Sequence, residues 1–125
     1  MKNKIMIFFA LGLLAALIIQ MCVFFSGIGI GMISCETNSM YPNLYCNCII
    51  FQKAVTNVSQ INLGDIISFR GLYDTKIMNV VHRVTEKGMT YVVTKGDNNS
   101  FDDGFTNYNQ IMSKVVGSVC PPRFT

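Results

Sequence analysis

The sequence predicts a mainly β protein, a small antiparallel β-rich domain preceded by one transmembrane helix. Three observations predict it. A long uncharged apolar run lies near the N-terminus, the pattern beyond it changes to short alternating segments, and Gly, Asn and Asp clusters divide those segments at close intervals.

The apolar run from Ile5 to Phe25 reads IMIFFALGLLAALIIQMCVFF, with no charge and only Gln20 as a strongly polar residue. As a helix it would be roughly 30 Å long, the hydrocarbon thickness of a bilayer. A cleavable secretory signal competes, because Lys2 and Lys4 form a positive n-region. It fits less well, since the run exceeds the usual apolar core of about 7–15 residues and no Ala-x-Ala site follows. The expected organisation is a cytosolic N-terminus over 1–4, an anchor over 5–25 and an extracytoplasmic or lumenal domain over 26–125, oriented by the two lysines.

The chain has 125 residues, with ten Lys and Arg against seven Asp and Glu. Setting aside Lys2 and Lys4 leaves eight against seven, a net charge of +1. Such a balance gives no electrostatic reason to expect nucleic acid as a partner.

Beyond the anchor, strands are expected at Gly31–Glu36, Cys46–Gln52, Asp65–Arg70, Met78–Thr85, Thr90–Thr94 and Lys114–Cys120. Glu86-Lys87-Gly88 reads as a short hairpin, pairing Val80–Thr85 with Thr90–Thr94 in one antiparallel sheet. Pro121-Pro122 ends the last strand. A domain this small buries a modest fraction of its surface, so attachment to the bilayer or a disulfide would help it. Cys35, Cys46, Cys48 and Cys120 fit an oxidising compartment and allow three connectivities if all pair. A metal half-site at Cys46 and Cys48 is incomplete, because neither a His nor a second Cys-x-Cys accompanies it.

Reactive polar residues fall in three stretches, Glu36 to Leu44, Val80 to Val84 and Thr94 to Asp103. Acyl transfer needs a hydroxyl, a base for its proton and a group that fixes the base's tautomer. Ser39 sits at a strand-to-turn transition three residues before Pro42, His82 is the only histidine, and Asp97, Asp102 and Asp103 follow on one loop. Taken singly, each has a plainer reading as a turn serine, a half-buried sheet histidine or a hairpin loop. Asp102 and Asp103 are adjacent, so in extended chain at most one faces the site. Asp97 follows Gly96 at an expected turn, where Asp commonly bonds its own backbone and shapes the loop.

Ser39-Met40-Tyr41-Pro42-Asn43-Leu44 resembles the Ser-Met-x-Pro-x-Leu box of type I signal peptidases. Gly64-Asp65-Ile66-Ile67, Val81-His82-Arg83-Val84 and Thr94-Lys95-Gly96-Asp97-Asn98-Asn99 resemble that family's later boxes, in the same order. The likeness covers roughly Ile5 to Gly117, and His82, where bacterial members carry Lys, selects the endoplasmic reticulum and archaeal Ser-His-Asp subgroup.

The resemblance implies a signal peptidase/repressor-protease-like catalytic domain with Ser39 as nucleophile, His82 as general base and Asp103 as the catalytic aspartate. Asp97 corresponds to a second acid needed in some members. Thr37 occupies the place of a hydroxyl that helps the Ser39 N–H hold the oxyanion. The implied substrates are signal-peptide-bearing preproteins at the lipid bilayer, no cofactor is expected, and accessory subunits are left open. Two departures stand out. Cys46-Asn47-Cys48 replaces a Gly-Asp pair, and the sequence stops soon after Val115-Val116-Gly117, before the C-terminal membrane-contacting segment of the reticulum enzymes. The rival expectation is a non-catalytic membrane-tethered β-domain that binds peptides or a partner protein by strand addition. A self-cleaving repressor-type protease is disfavoured by the anchor that stands in place of a DNA-binding module.

Overall fold

The apolar run forms the middle of a single helix, α1 (Lys2–Ser26), in which no residue is buried against the rest of the chain. With a mean hydropathy of 2.6 over its most apolar stretch, α1 is long and apolar enough to cross a membrane. Gly27, at φ 66°, closes it in the left-handed conformation that glycine adopts without Cβ strain, and its N–H bonds to the Phe24 carbonyl. The first strand begins at the very next residue. The structure, a computed structural model, describes residues 1–123. The last two positions of the domain expected over 26–125 lie outside the described residues.

Seven strands follow: β1 (Ile28–Met32), β2 (Ile49–Ala54), β3 (Ile66–Tyr73), β4 (Lys76–Lys87), β5 (Tyr91–Lys95), β6 (Phe105–Asn107) and β7 (Ile111–Val119). They form one sheet in the order β1-β2-β7-β3-β4-β5-β6, and every neighbouring pair is antiparallel. The expected mainly β architecture behind one apolar helix is therefore present. Val-, Ile- and Phe-rich alternation drives it, because burying one face of each strand removes apolar surface from water.

The strand boundaries differ from expectation where tertiary pairing decides them. The first strand lies earlier than Gly31–Glu36, because the ladder with β2 runs from Ile28↔Lys53 to Met32↔Ile49 and the chain then turns away. The expected β4–β5 pairing forms, but β4 continues to Lys87 and a bulge lies between Val84 and Glu86. The short edge strand β6 and the tight β3–β4 hairpin were not expected. The hairpin turns at Asp74 (φ 50°) and Thr75 (φ 68°), a mirror-type geometry usually marked by Asn-Gly or Asp-Gly.

Two apolar clusters support the sheet. One gathers Ile61, Ile67, Phe69, Val84, Val92 and Ile111. The other gathers Met40, Leu44, Cys48 and Ile50, and so lies under the turn that carries Ser39. Fully burying one such Ile or Leu side chain is worth about 1.5–3 kcal/mol, so each cluster matters to a domain of this size. Cys35 pairs with Cys46 and Cys48 with Cys120, while Cys22 in α1 is free. Both sulfurs of the incomplete Cys46/Cys48 metal half-site are thus engaged in disulfides.

Candidate active site

Ser39 opens a compact turn in which the Tyr41 N–H bonds to the Asn38 carbonyl (3.1 Å) and the Leu44 N–H to the Met40 carbonyl (2.9 Å). Met40 and Leu44 are buried, which pins the turn from beneath, and the Tyr41–Pro42 peptide bond is cis. A second loop holds it from the side. The Asn98 N–H donates to the Ser39 carbonyl (2.8 Å), and Asn98 Nδ2 donates to the Asn38 carbonyl (3.2 Å). Gly96 permits that approach, because a Cβ there would lie 2.6 Å from the Ser39 oxygen.

His82 lies within β4, opposite Ile67 of β3, and is only 5% exposed. Its Nε2 is 3.0 Å from Ser39 Oγ and its Nδ1 is 2.5 Å from Asp103 Oδ2. The structure thus brings together a half-buried hydroxyl, an imidazole and a carboxylate from the first turn, the fourth strand and the loop after β5. In the neutral imidazole a carboxylate at Nδ1 selects the tautomer that carries its proton there, which turns the Nε2 lone pair toward the Ser39 hydroxyl.

Asp103 is itself tightly held. Its N–H donates to the Thr94 carbonyl (2.8 Å), Thr94 Oγ1 donates to Oδ2 (2.7 Å) and the Tyr73 hydroxyl donates to Oδ1 (3.0 Å). Burial is the largest single influence on this carboxyl and pushes its pKa up. The combined hydrogen bonds from His82, Thr94 and Tyr73, with the charge on His82, outweigh burial and hold it below the usual carboxylate range. The site therefore keeps an anion beside the imidazole. The Tyr73 phenol responds in the opposite sense, pushed up to about 12 by burial and by the neighbouring Asp103 charge.

Asp97 does something other than bond its own backbone. Arg83, which immediately follows His82, donates to it through Nε and Nη2 (both 2.8 Å), and Asn43 Nδ2 donates to its Oδ2 (2.7 Å). The forked guanidinium outcompetes a local turn bond because it makes two charge-assisted contacts at once. Arg83 hydrogen bonding is the main reason the Asp97 carboxyl sits below its ordinary value, and the same bond raises the Arg83 pKa. Nη1 of Arg83 also reaches the Gly64 carbonyl (2.8 Å). The expected loop-shaping role takes the form of a clasp joining β4, the Gly64 turn and the Ser39 turn.

Asp102 is exposed, and its Oδ1 accepts from the Gly104 N–H (2.9 Å), away from His82. Thr37 lies on the exposed rim of the site, and none of the side-chain hydrogen bonds among the described residues involves it. Ser39 and His82 open onto a groove of about 770 Å³, walled by Met32 at the end of β1, by Ile33 just after it, and by Met78, Val80 and Val81 of β4. Among the described residues no three His, Cys, Asp or Glu side chains converge as a metal set. The sequence pointed to the serine, the histidine and the aspartates but not to Tyr73 or to the Thr94 hydroxyl, because neither carries a signal apart from the contact it makes. Compared with known proteins, the chain matches no family model and no curated protein, so the residues and their geometry carry the functional reading.

Proposed function

We propose that the protein is a membrane-anchored serine endopeptidase of the type I signal peptidase kind, which removes signal peptides from exported or secretory preproteins. The observation that carries this reading is the continuous hydrogen-bonded series Ser39 Oγ–His82 Nε2 and His82 Nδ1–Asp103 Oδ2 at the wall of an apolar groove. The ordered likeness of its four sequence boxes to that family adds to it. The apolar helix and two disulfides fit a domain held at the outer or lumenal face of a membrane, with Lys2 and Lys4 left in the cytosol.

In the first step His82 Nε2 takes the Ser39 proton as Oγ bonds to the scissile carbonyl carbon, whose π electrons move to its oxygen. Asp103, kept ionised, stabilises the imidazolium that forms. No hydrogen bond among the described residues uses the Ser39 N–H, so that group is free to meet the oxyanion. Collapse breaks the C–N bond while His82 returns the proton to the leaving amine, and water then hydrolyses the Ser39 ester by the same base. The chemistry needs no cofactor. A preference for small side chains before the cut follows from the resemblance.

The test is cleavage of a model preprotein by the purified full chain in detergent. Wild type is expected to process it, and Ser39→Ala is expected to be inactive with an unchanged melting temperature, since the half-buried hydroxyl contributes little packing. Substantial turnover by Ser39→Ala would remove the nucleophile assignment. A serine-directed acylating probe separates this reading from a peptide-binding β-domain, which would not be labelled at Ser39.

A further inference from the structure

Tyr73 is the last residue of β3, paired with Lys76 across the hairpin turn and far from Asp103 in sequence. It stands 40% exposed, yet its ring does not simply project into solvent. It folds back along its own strand over Gly71. A Cβ on Gly71 would lie 2.9 Å from Tyr73 Cε2 and 3.2 Å from Val80 Cγ2, so the ring occupies space that any other residue at 71 would contest. From there the hydroxyl donates to Asp103 Oδ1 at 3.0 Å, while Oδ2 of the same carboxylate receives Thr94 Oγ1 and His82 Nδ1.

We propose that Tyr73 is a positioning residue for the Ser39–His82 pair, its hydroxyl fixing the Asp103 carboxylate plane so that Oδ2 stays aimed at His82 Nδ1. The inference rests on the proteolytic reading above. A carboxylate on a loop can rotate about its χ2 torsion, which is broad and has no strong well of its own. Thr94, on buried β5, restrains one oxygen, and only a second restraint at the other oxygen fixes the plane. Tyr73 supplies that restraint from the opposite strand pair. It donates a neutral hydrogen bond, so it supports the anion without competing with the imidazolium for its charge. Gly71 and Tyr73 therefore act as a unit, one making room and the other reaching through it.

The experiment compares wild type, Ser39→Ala, Tyr73→Phe, Asp103→Asn and the Tyr73→Phe/Asp103→Asn double variant in preprotein cleavage by the detergent-solubilised full chain, with kcat and KM separated. Tyr73→Phe keeps the ring over Gly71 and loses only the hydroxyl. The expected result is a fall in kcat of roughly ten- to a hundredfold, the range for losing a hydrogen bond to a charged group, with KM and melting temperature unchanged. In the Asp103→Asn background the same substitution is expected to cost little more, because the anion it served is already gone. A wild-type kcat in Tyr73→Phe, a change confined to KM, or an equal loss in both backgrounds would overturn the inference while wild-type turnover and an inactive Ser39→Ala leave the proteolytic reading standing. Absence of wild-type turnover would remove both.

Discussion

Asp103 takes hydrogen bonds from His82, Thr94 and Tyr73, so its replacement separates charge from shape. Asp103→Asn should lower turnover by roughly two to four orders of magnitude with little loss of fold, because an amide cannot stabilise the imidazolium or secure the donor tautomer at Nδ1. Processing kinetics and thermal melting check it together. Asp102→Asn should be mild, since that side chain faces solvent and only accepts a bond from Gly104 N. Alkaline difference spectroscopy between wild type and Tyr73→Phe should show one phenol ionising near 12 in place of its ordinary 10. A raised folded value means that the contribution of Tyr73 to stability is complete below pH 10 and is lost as pH rises toward 12. At this scale the sequence was informative wherever chemistry is unusual by type. A lone histidine and a serine before a proline turn stand out, but Tyr73 is one of five tyrosines and nothing local marks it.

Elements position these groups through one clasp and one close approach. The Asp97 carboxyl is held below its ordinary 3.8 chiefly by Arg83, and a depressed folded value contributes stability that is complete above that pH and lost as pH falls through the folded value. Asp97→Asn should therefore lower the melting temperature at neutral pH and flatten its fall in acid, as calorimetry across pH 2–7 would show on the order of the window in which carboxylates titrate. It should also reduce turnover, because the clasp ties the His82 strand to Asn43 in the turn that carries Ser39. Gly96→Ala should do more local harm, driving a methyl into the Ser39 carbonyl and shifting the serine. The strands were legible because alternation of Val and Ile reports a half-buried sheet directly. The β3–β4 hairpin was not, since its Asp74-Thr75 turn lacks the glycine that usually announces positive φ. Boundaries shifted at β1 because the end of α1 and the ladder with β2, neither visible in a local window, decide where pairing begins.

For the whole molecule, two disulfides brace a sheet with little core to spare. Cys48–Cys120 closes a sequence separation of 72 and Cys35–Cys46 one of 11, so on chain-entropy grounds the first should stabilise by about 4 kcal/mol and the second by about 3. Replacing Cys48 and Cys120 together by Ala should thus depress melting more than replacing Cys35 and Cys46, and Cys48 adds the loss of a fully buried core position. Architecture and order of parts were readable from the switch in hydropathy period. The pairing of the cysteines was not, because four equivalent thiols carry no address until the sheet places Cys120 beside Cys48. One joint in this architecture has a mechanical consequence. Gly27 alone separates the end of α1 from β1, and a strand rises roughly 3.3 Å per residue, so the groove wall at Gly31 begins at most about 16 Å along the chain from the helix end at Ser26. On the function proposed above, helix and groove would act together as a depth gauge, favouring a peptide bond a few extended residues clear of the bilayer over one that lies deeper or farther out.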